Sequence, residues 1–295
     1  MNSRPEFDQQ HFDSLYPKMK FSRRGFIASS LAAGFAVSAG PLMAQTAIKT
    51  PADGLEVGDA LIPVVGGNLP VYFAAPKKPG KYPVVIVNPE IWGLHEHQKD
   101  LCRRLAKVGY YAISLDSYFR SGQLWKLTDI KQVLAVANSL EDEVMLADLD
   151  ALVNWVELQP KANSKKLGLT GMCRSGRTVW MYVAHSKKIK AAVAWYGFLT
   201  PIPPAMPLTP IDVADQLNAP VLGLYGGADQ GIPLDLVERM RAALVAFGKD
   251  KQSMIHVYDG MPHAFLADYR PSYRKEAAED GWKRMLVWFK KHGVA

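Results

Sequence analysis

From residue 69 to the C-terminus, short apolar runs alternate with stretches of helical length, and this alternation restricts the fold more than any other property of the chain. Strands are expected at 69–75, 82–87, 110–115, 166–170, 191–196, 221–225 and 253–258. Several are continuously apolar, as in Pro83-Val84-Val85-Ile86-Val87, a composition suited to strands covered on both faces. Between them, helical patterns fall at 98–108, 141–158, 177–185, 234–247 and 273–292. In the second of these, Met145, Leu149, Leu152, Val153 and Val156 recur on one face. Strand and helix in strict alternation predict a mostly parallel sheet with helices on both faces. No repeat or long Gly/Ser linker interrupts it, so residues 45–295 are expected to form a single domain.

The first forty-odd residues have a different character. Arg23-Arg24 precedes an uncharged small and apolar run, residues 28–40, and Leu42-Met43-Ala44 resembles a small-residue cleavage site. The run is about fifteen residues, short of the ~20 that cross a bilayer as a helix. Residues 1–44 resemble a twin-arginine signal peptide. The expectations are a periplasmic or secreted bacterial protein, the twin-arginine export machinery as a partner, and no stable membrane span after cleavage.

Composition excludes more than it names. The net charge of +7 comes from scattered Lys and Arg, with no basic run, so no nucleic-acid partner is expected. Two cysteines, Cys102 and Cys173, make no disulfide framework and no C-x-x-C zinc pair. His95-Glu96-His97 is rejected as a metal site, because histidines two apart on a helix should point to different faces. No metal or other cofactor is expected. The stretch 201–207, rich in proline, should form an excursion over the sheet edge and rim the pocket.

Chemistry concentrates at Gly171-Met172-Cys173-Arg174-Ser175-Gly176, where a short apolar strand runs into a reactive side chain flanked by small residues and a helix follows. This is the setting of a nucleophile elbow, with Ser175 in place of the second glycine. A helix N-terminus favours thiolate, so Cys173 is the candidate nucleophile, while Cys102 sits in a plain helical pattern. An acid and a histidine should follow in that order. Asp229 lies in a loop after the 221–225 strand, and His263 in a loop before the last helix. Asp259, four residues before His263, is the weaker rival acid.

These residues carry a resemblance. Asn88-Pro89-Glu90-Ile91-Trp92-Gly93-Leu94, Gly171-Met172-Cys173, Gly227-Ala228-Asp229 and Pro262-His263-Ala264-Phe265 resemble the dienelactone hydrolase family, the cysteine-nucleophile branch of the α/β-hydrolases, over roughly residues 69 to 290. The resemblance implies an α/β-hydrolase fold and hydrolysis of a small-molecule ester or lactone through a thioester. It implies His263 as general base, Asp229 as its orienting acid, and Glu90 as the group that holds the thiol neutral and then accepts its proton. Backbone N–H groups of Ile91 and Arg174 would form the oxyanion hole. Trp92 and Tyr196 are candidates to line the pocket, and core packing accounts for them equally well. One departure stands out: the family's substrate-binding arginine, four residues after the histidine, is Ala267 here. Arg120, Arg174 or Arg177 could supply that charge from elsewhere, but each is expected to be a solvated surface residue. That departure and Ser175 also motivate an alternative, a non-catalytic or thiol-sensing binding protein on the same scaffold.

Overall fold

The computed structural model describes residues 47–295; the leader expected at 1–44 lies outside them. An eight-stranded sheet is built from β1 (Leu55–Val64), β2 (Gly67–Pro76), β3 (Tyr82–Asn88), β4 (Tyr111–Leu115), β5 (Ala162–Met172), β6 (Ala191–Trp195), β7 (Val221–Gly226) and β8 (Met254–Tyr258). Their order is β1-β2-β4-β3-β5-β6-β7-β8. The first two strands form an antiparallel hairpin, β2 pairs antiparallel with β4, and every later pairing is parallel. The helices are α1 (Glu96–Lys107), α2 (Ile130–Ser139), α3 (Asp142–Glu157), α4 (Arg174–His185), α5 (Leu234–Ala246) and α6 (Lys275–Lys291).

Apolar composition explains the middle of the sheet. Val84, Val85, Ile86 and Val87 of β3 have no exposed surface, as expected of a strand covered on both faces. Met145, Leu149, Leu152, Val153 and Val156 form the buried stripe of α3. Strand order reverses around β3, since β4 lies on one side of it and β5 on the other. Loops leaving the carboxyl ends of β3, β5, β6, β7 and β8 supply the site described below, as open α/β sheets provide. This is an α/β-hydrolase fold.

Two elements go beyond the sequence expectation. β1 was not anticipated, because most of its residues are partly or fully exposed and its Gly58, Asp59 and Pro63 are poor strand formers. Its pairing with β2 defines it, through a two-residue Val65-Gly66 turn in which Gly66 takes φ +83°. α2 was also unanticipated; Asp129 caps it by accepting from the Lys131 amide at 2.9 Å. In addition, α4 begins at Arg174 rather than 177. The 201–207 segment follows β6, an inner strand, not a sheet edge. It folds back through paired Ile202 and Met206 backbones, whose side chains are buried.

Candidate active site

β5 ends at Met172, and Cys173 then takes φ +60° and ψ −125° before α4 begins. A non-glycine residue held at positive φ is strained, and the surroundings must enforce it. Here the Cys173 amide donates to the Trp195 carbonyl at 3.0 Å. A β-carbon on Gly171 would lie 2.5 Å from the Ser175 carbonyl oxygen, and one on Gly176 would lie 2.5 Å from that of Trp195. The turn admits nothing larger than hydrogen at either place. Ser175 is more than a small residue: its hydroxyl donates to the Pro89 carbonyl, tying the start of α4 to the turn that carries Glu90 and Ile91.

Asp229 leaves the end of β7 buried, and its Oδ1 accepts from the Gly231 amide at 2.9 Å. Its Oδ2 lies 2.7 Å from Nδ1 of His263. Asp259, the rival acid, is exposed and not part of this contact. The His263 ring is fully enclosed, with Tyr196 edge-on at 4.9 Å and Phe198 at 5.5 Å between ring centres. Burial alone would lower its pKa, but the Asp229 carboxylate, aided by Cys173, pushes it up to about 10. Nε2, the nitrogen remote from Asp229, has no partner of ordinary hydrogen-bond geometry. It is left available to the sulfur beside it. Three side chains separated by 90 positions of sequence therefore meet at one elbow.

Glu90 lies on the turn after β3. Its carboxylate is buried and engaged at both oxygens: Oε2 accepts from Arg270 Nη2 at 2.7 Å, and Oε1 accepts from the Tyr269 hydroxyl. His95 Nε2 stands 3.4 Å from Oε1. Burial would raise the Glu90 pKa, yet Arg270 and His95 outweigh it and bring it down to about 2. Both oxygens of this carboxylate are thus occupied by Arg270 and Tyr269.

His95 and His97 do not point to different faces. His95 is the cap of α1, just outside the helix, and its Nδ1 accepts from the His97 amide at 3.3 Å. Both rings meet the Tyr269 ring edge-on, and His97 Nδ1 lies 3.2 Å from Asp268. Among the described residues no group of three or more His, Cys, Asp and Glu is arranged to hold a metal ion.

Two of the arginine expectations are corrected: Arg174 and Arg177 are fully buried, not solvated. Burial follows from their position on the first turn of α4, which the elbow drives into the protein. Arg120 is exposed, as expected, and pairs with Asp148 at 2.7 and 2.8 Å. Trp92 is 3% exposed, with an unpartnered indole N–H. Tyr196 is buried and packs against the His263 ring. A cleft of about 560 Å³ adjoins the turn after Glu90, lined by Leu94, His95, Asp116, Phe119, Gln123 and Trp125. Asp116 was not singled out from sequence. It accepts from the Tyr118 amide, and burial pushes its pKa up to about 6. A second cleft of about 470 Å³, along Tyr258, Asp259 and α6, contains none of the residues around Cys173.

The model of the dienelactone hydrolase family matches residues 69–293. The chain belongs to the dienelactone hydrolase family. Similar proteins include a "Putative carboxymethylenebutenolidase" of Methylorubrum extorquens, 49% identical over 96% of this chain and 97% of that protein. Another of that name from Escherichia coli K12 is 47% identical over 90% of this chain and 98% of its own length. A Klebsiella pneumoniae crystal structure named "Putative Dienelactone Hydrolase" is 46% identical, with a TM-score of 0.77 over 80% of this chain and 99% of that one. As a dienelactone hydrolase family member the chain is an enzyme, a hydrolase of the lactone and ester class. No described helix is long and apolar enough to cross a membrane.

Proposed function

We propose that this protein is an exported hydrolase of small esters or lactones that works through Cys173, His263 and Asp229. The observation carrying the proposal is the enclosed His263 ring, with Asp229 at 2.7 Å on one nitrogen and the strained Cys173 elbow at the other. In this reading the thiol proton already rests on His263 Nε2, whose pKa stands at about 10, and the sulfur attacks the ester carbonyl carbon. The carbonyl oxygen becomes an oxyanion held by the backbone N–H groups of Arg174 and Ile91, each worth up to ~3–4 kcal/mol in comparable sites. The Arg174 amide suits the part, since the first amide of a helix has no intrahelical acceptor.

Collapse of the tetrahedral species expels the alcohol oxygen, which takes the proton from His263 and leaves a thioester on Cys173. His263 then deprotonates a water that attacks the thioester, and the acid departs as the thiol is restored. Asp229 fixes the ring with Nδ1 protonated and offsets the positive charge that develops. Glu90, bound to Arg270 and Tyr269, holds the turn that presents Ile91. Trp92 borders the bound ester. The thiol-sensing alternative loses one of its motives, because Ser175 has a bonding role at the elbow.

The test is hydrolysis of aryl acetates and small lactones by the protein and by Cys173→Ala. Loss of about 10³-fold or more is expected, with a thioester adduct seen by mass spectrometry in the unmodified protein. Equal rates would refute the proposal. Export rests on the leader sequence, and a fusion of residues 1–44 to a reporter should reach the periplasm unless Arg23 and Arg24 are both changed to lysine.

A further inference from the structure

The turn that carries Ile91 is backed by a carboxylate that the mechanism above does not use. Residues 90–93 form a tight turn, closed by the Gly93 amide donating to the Glu90 carbonyl at 3.0 Å, with Gly93 at φ +75°. Ser175 pins its start through the Pro89 carbonyl, and Arg270 and Tyr269 pin the Glu90 side chain. Its far end rests on Asp116, the first residue after β4. A β-carbon on Gly93 would lie 2.6 Å from Asp116 Oδ1 and 3.3 Å from its Cγ, so the carboxylate occupies the space a side chain there would need. It accepts from the backbone amides of Leu94, directly after the turn, and of Tyr118 in its own loop, the latter at 3.1 Å. The amide of Asp116 itself donates to the Pro70 carbonyl of β2 at 2.9 Å. One side chain thus joins the loops that follow β3 and β4.

Asp116 is 6% exposed, and burial, opposed by those two amides, pushes its pKa up to about 6. No cation is among the groups that act on it. A carboxylate without a counter-charge is costly to bury, and in return it holds an amide more strongly than a neutral oxygen does. It lines the cleft of about 560 Å³, through which its proton can exchange with water. The other titratable groups of that cleft are Asp59 of β1 and His95, Glu96 and Lys99 at the start of α1. Lys99 pairs with Asp59, Glu96 with Arg103 and His95 with Glu90, and burial holds His95 below the ordinary histidine value. In the loop of Asp116 itself, burial raises Tyr118 to about 12, and Arg120 pairs with Asp148.

We infer that Asp116 is a positioning residue for hydrolysis: by gripping the Leu94 amide and backing Gly93, it sets the turn that aims the Ile91 N–H at the oxyanion. The inference rests on the reading of Cys173 as nucleophile and Ile91 as an oxyanion donor. Asp116 touches no reacting atom and acts through the backbone. Protonation weakens its grip, the turn relaxes, and the Ile91 amide meets the developing charge less squarely. The loss falls on the transition state, where that charge exists, and not on binding of the ester.

The experiment is steady-state hydrolysis of 4-nitrophenyl acetate between pH 5 and 8 by the unmodified protein and by Asp116→Asn. Asparagine keeps the shape and one acceptor oxygen but cannot titrate. An acid is protonated below its pKa and ionised above it, so kcat of the unmodified protein should rise with pH through a midpoint near 6. The rise should be about 5- to 10-fold, the difference between a charge-assisted and a neutral hydrogen bond, with KM little changed. Asp116→Asn should stay at the low-pH level throughout and show no midpoint. A merely structural aspartate would lower Tm in the variant and leave the shape of the pH profile as it was.

A kcat of the unmodified protein that stays level between pH 5 and 8 overturns the inference, whether or not the variant folds. So does a variant that keeps the same rise, or one that loses activity through KM alone. Full activity in Cys173→Ala would instead remove the reading beneath it.

Discussion

Replacing Arg270 by methionine strips Glu90 of its only full positive charge while leaving the carboxylate buried, at 1% exposure. Holding that group near 2 instead of 4.5 corresponds to roughly 3 kcal/mol of stability at neutral pH. Removing one member of a buried ion pair costs about 3–5 kcal/mol in general, because the other charge is stranded. The two routes agree, so a loss of about 3 kcal/mol is expected, or a fall of about 6–12 °C in Tm for a chain of this size. The sign with pH follows from the depressed pKa. This stability is fully present above 4.5 and is lost as pH falls through about 2, so the gap between the two proteins should be widest at neutral pH and close on acidification. The double variant Glu90→Gln/Arg270→Met removes both charges and should recover most of the deficit. Urea unfolding at pH 7 and pH 4 measures all of this. A loss below 1 kcal/mol at pH 7, or a double variant no better than the single, would refute the argument that the pair is held by mutual charge.

Three further outcomes are expected. Asp229→Asn should reduce turnover by about 10³- to 10⁴-fold in steady-state assays, as removal of a base-orienting carboxylate does elsewhere, while Asp259→Asn leaves it unchanged. Gly176→Ala should destabilise the fold by more than the ordinary helix preference for alanine could offset, since its β-carbon would lie 2.5 Å from the Trp195 carbonyl; thermal unfolding checks it. His263, raised from 6.5 to about 10, contributes stability that is complete below 6.5 and disappears as pH rises through 10. Denaturation of the protein between pH 6 and 10 should show that decline, and His263→Gln should flatten it.

How far the sequence could be read depended on how local each feature is. The elbow was legible because its glycines, cysteine and following helix occupy six consecutive positions, and steric crowding allows few alternatives there. Asp229 could be favoured over Asp259 because strand-end topology places it correctly, and only the former reaches His263. The partner of Glu90 could not be read, since Arg270 lies 180 positions away and no periodicity connects them. Arg174 and Arg177 were misjudged for a general reason: arginine is almost always exposed, and burial here is forced by the elbow rather than by residue type. In α2 the information was present, as Asp129 followed by buried Ile130, Val133, Leu134 and Ala137, but ten residues of modest helix formers give it a weak signature.

The loop after His263 has a bearing on how the enzyme comes into being. Asp268, Tyr269 and Arg270, three adjacent residues, grip α1 and Glu90 in the first third of the described chain. During synthesis the ribosome releases Glu90 long before its cation is made, and the imidazole arrives equally late. A nascent or truncated chain lacking those last residues therefore carries a thiol and a stranded carboxylate without the imidazole or the cation, so the arrangement around Cys173 is complete only when the two ends of the fold have closed on each other.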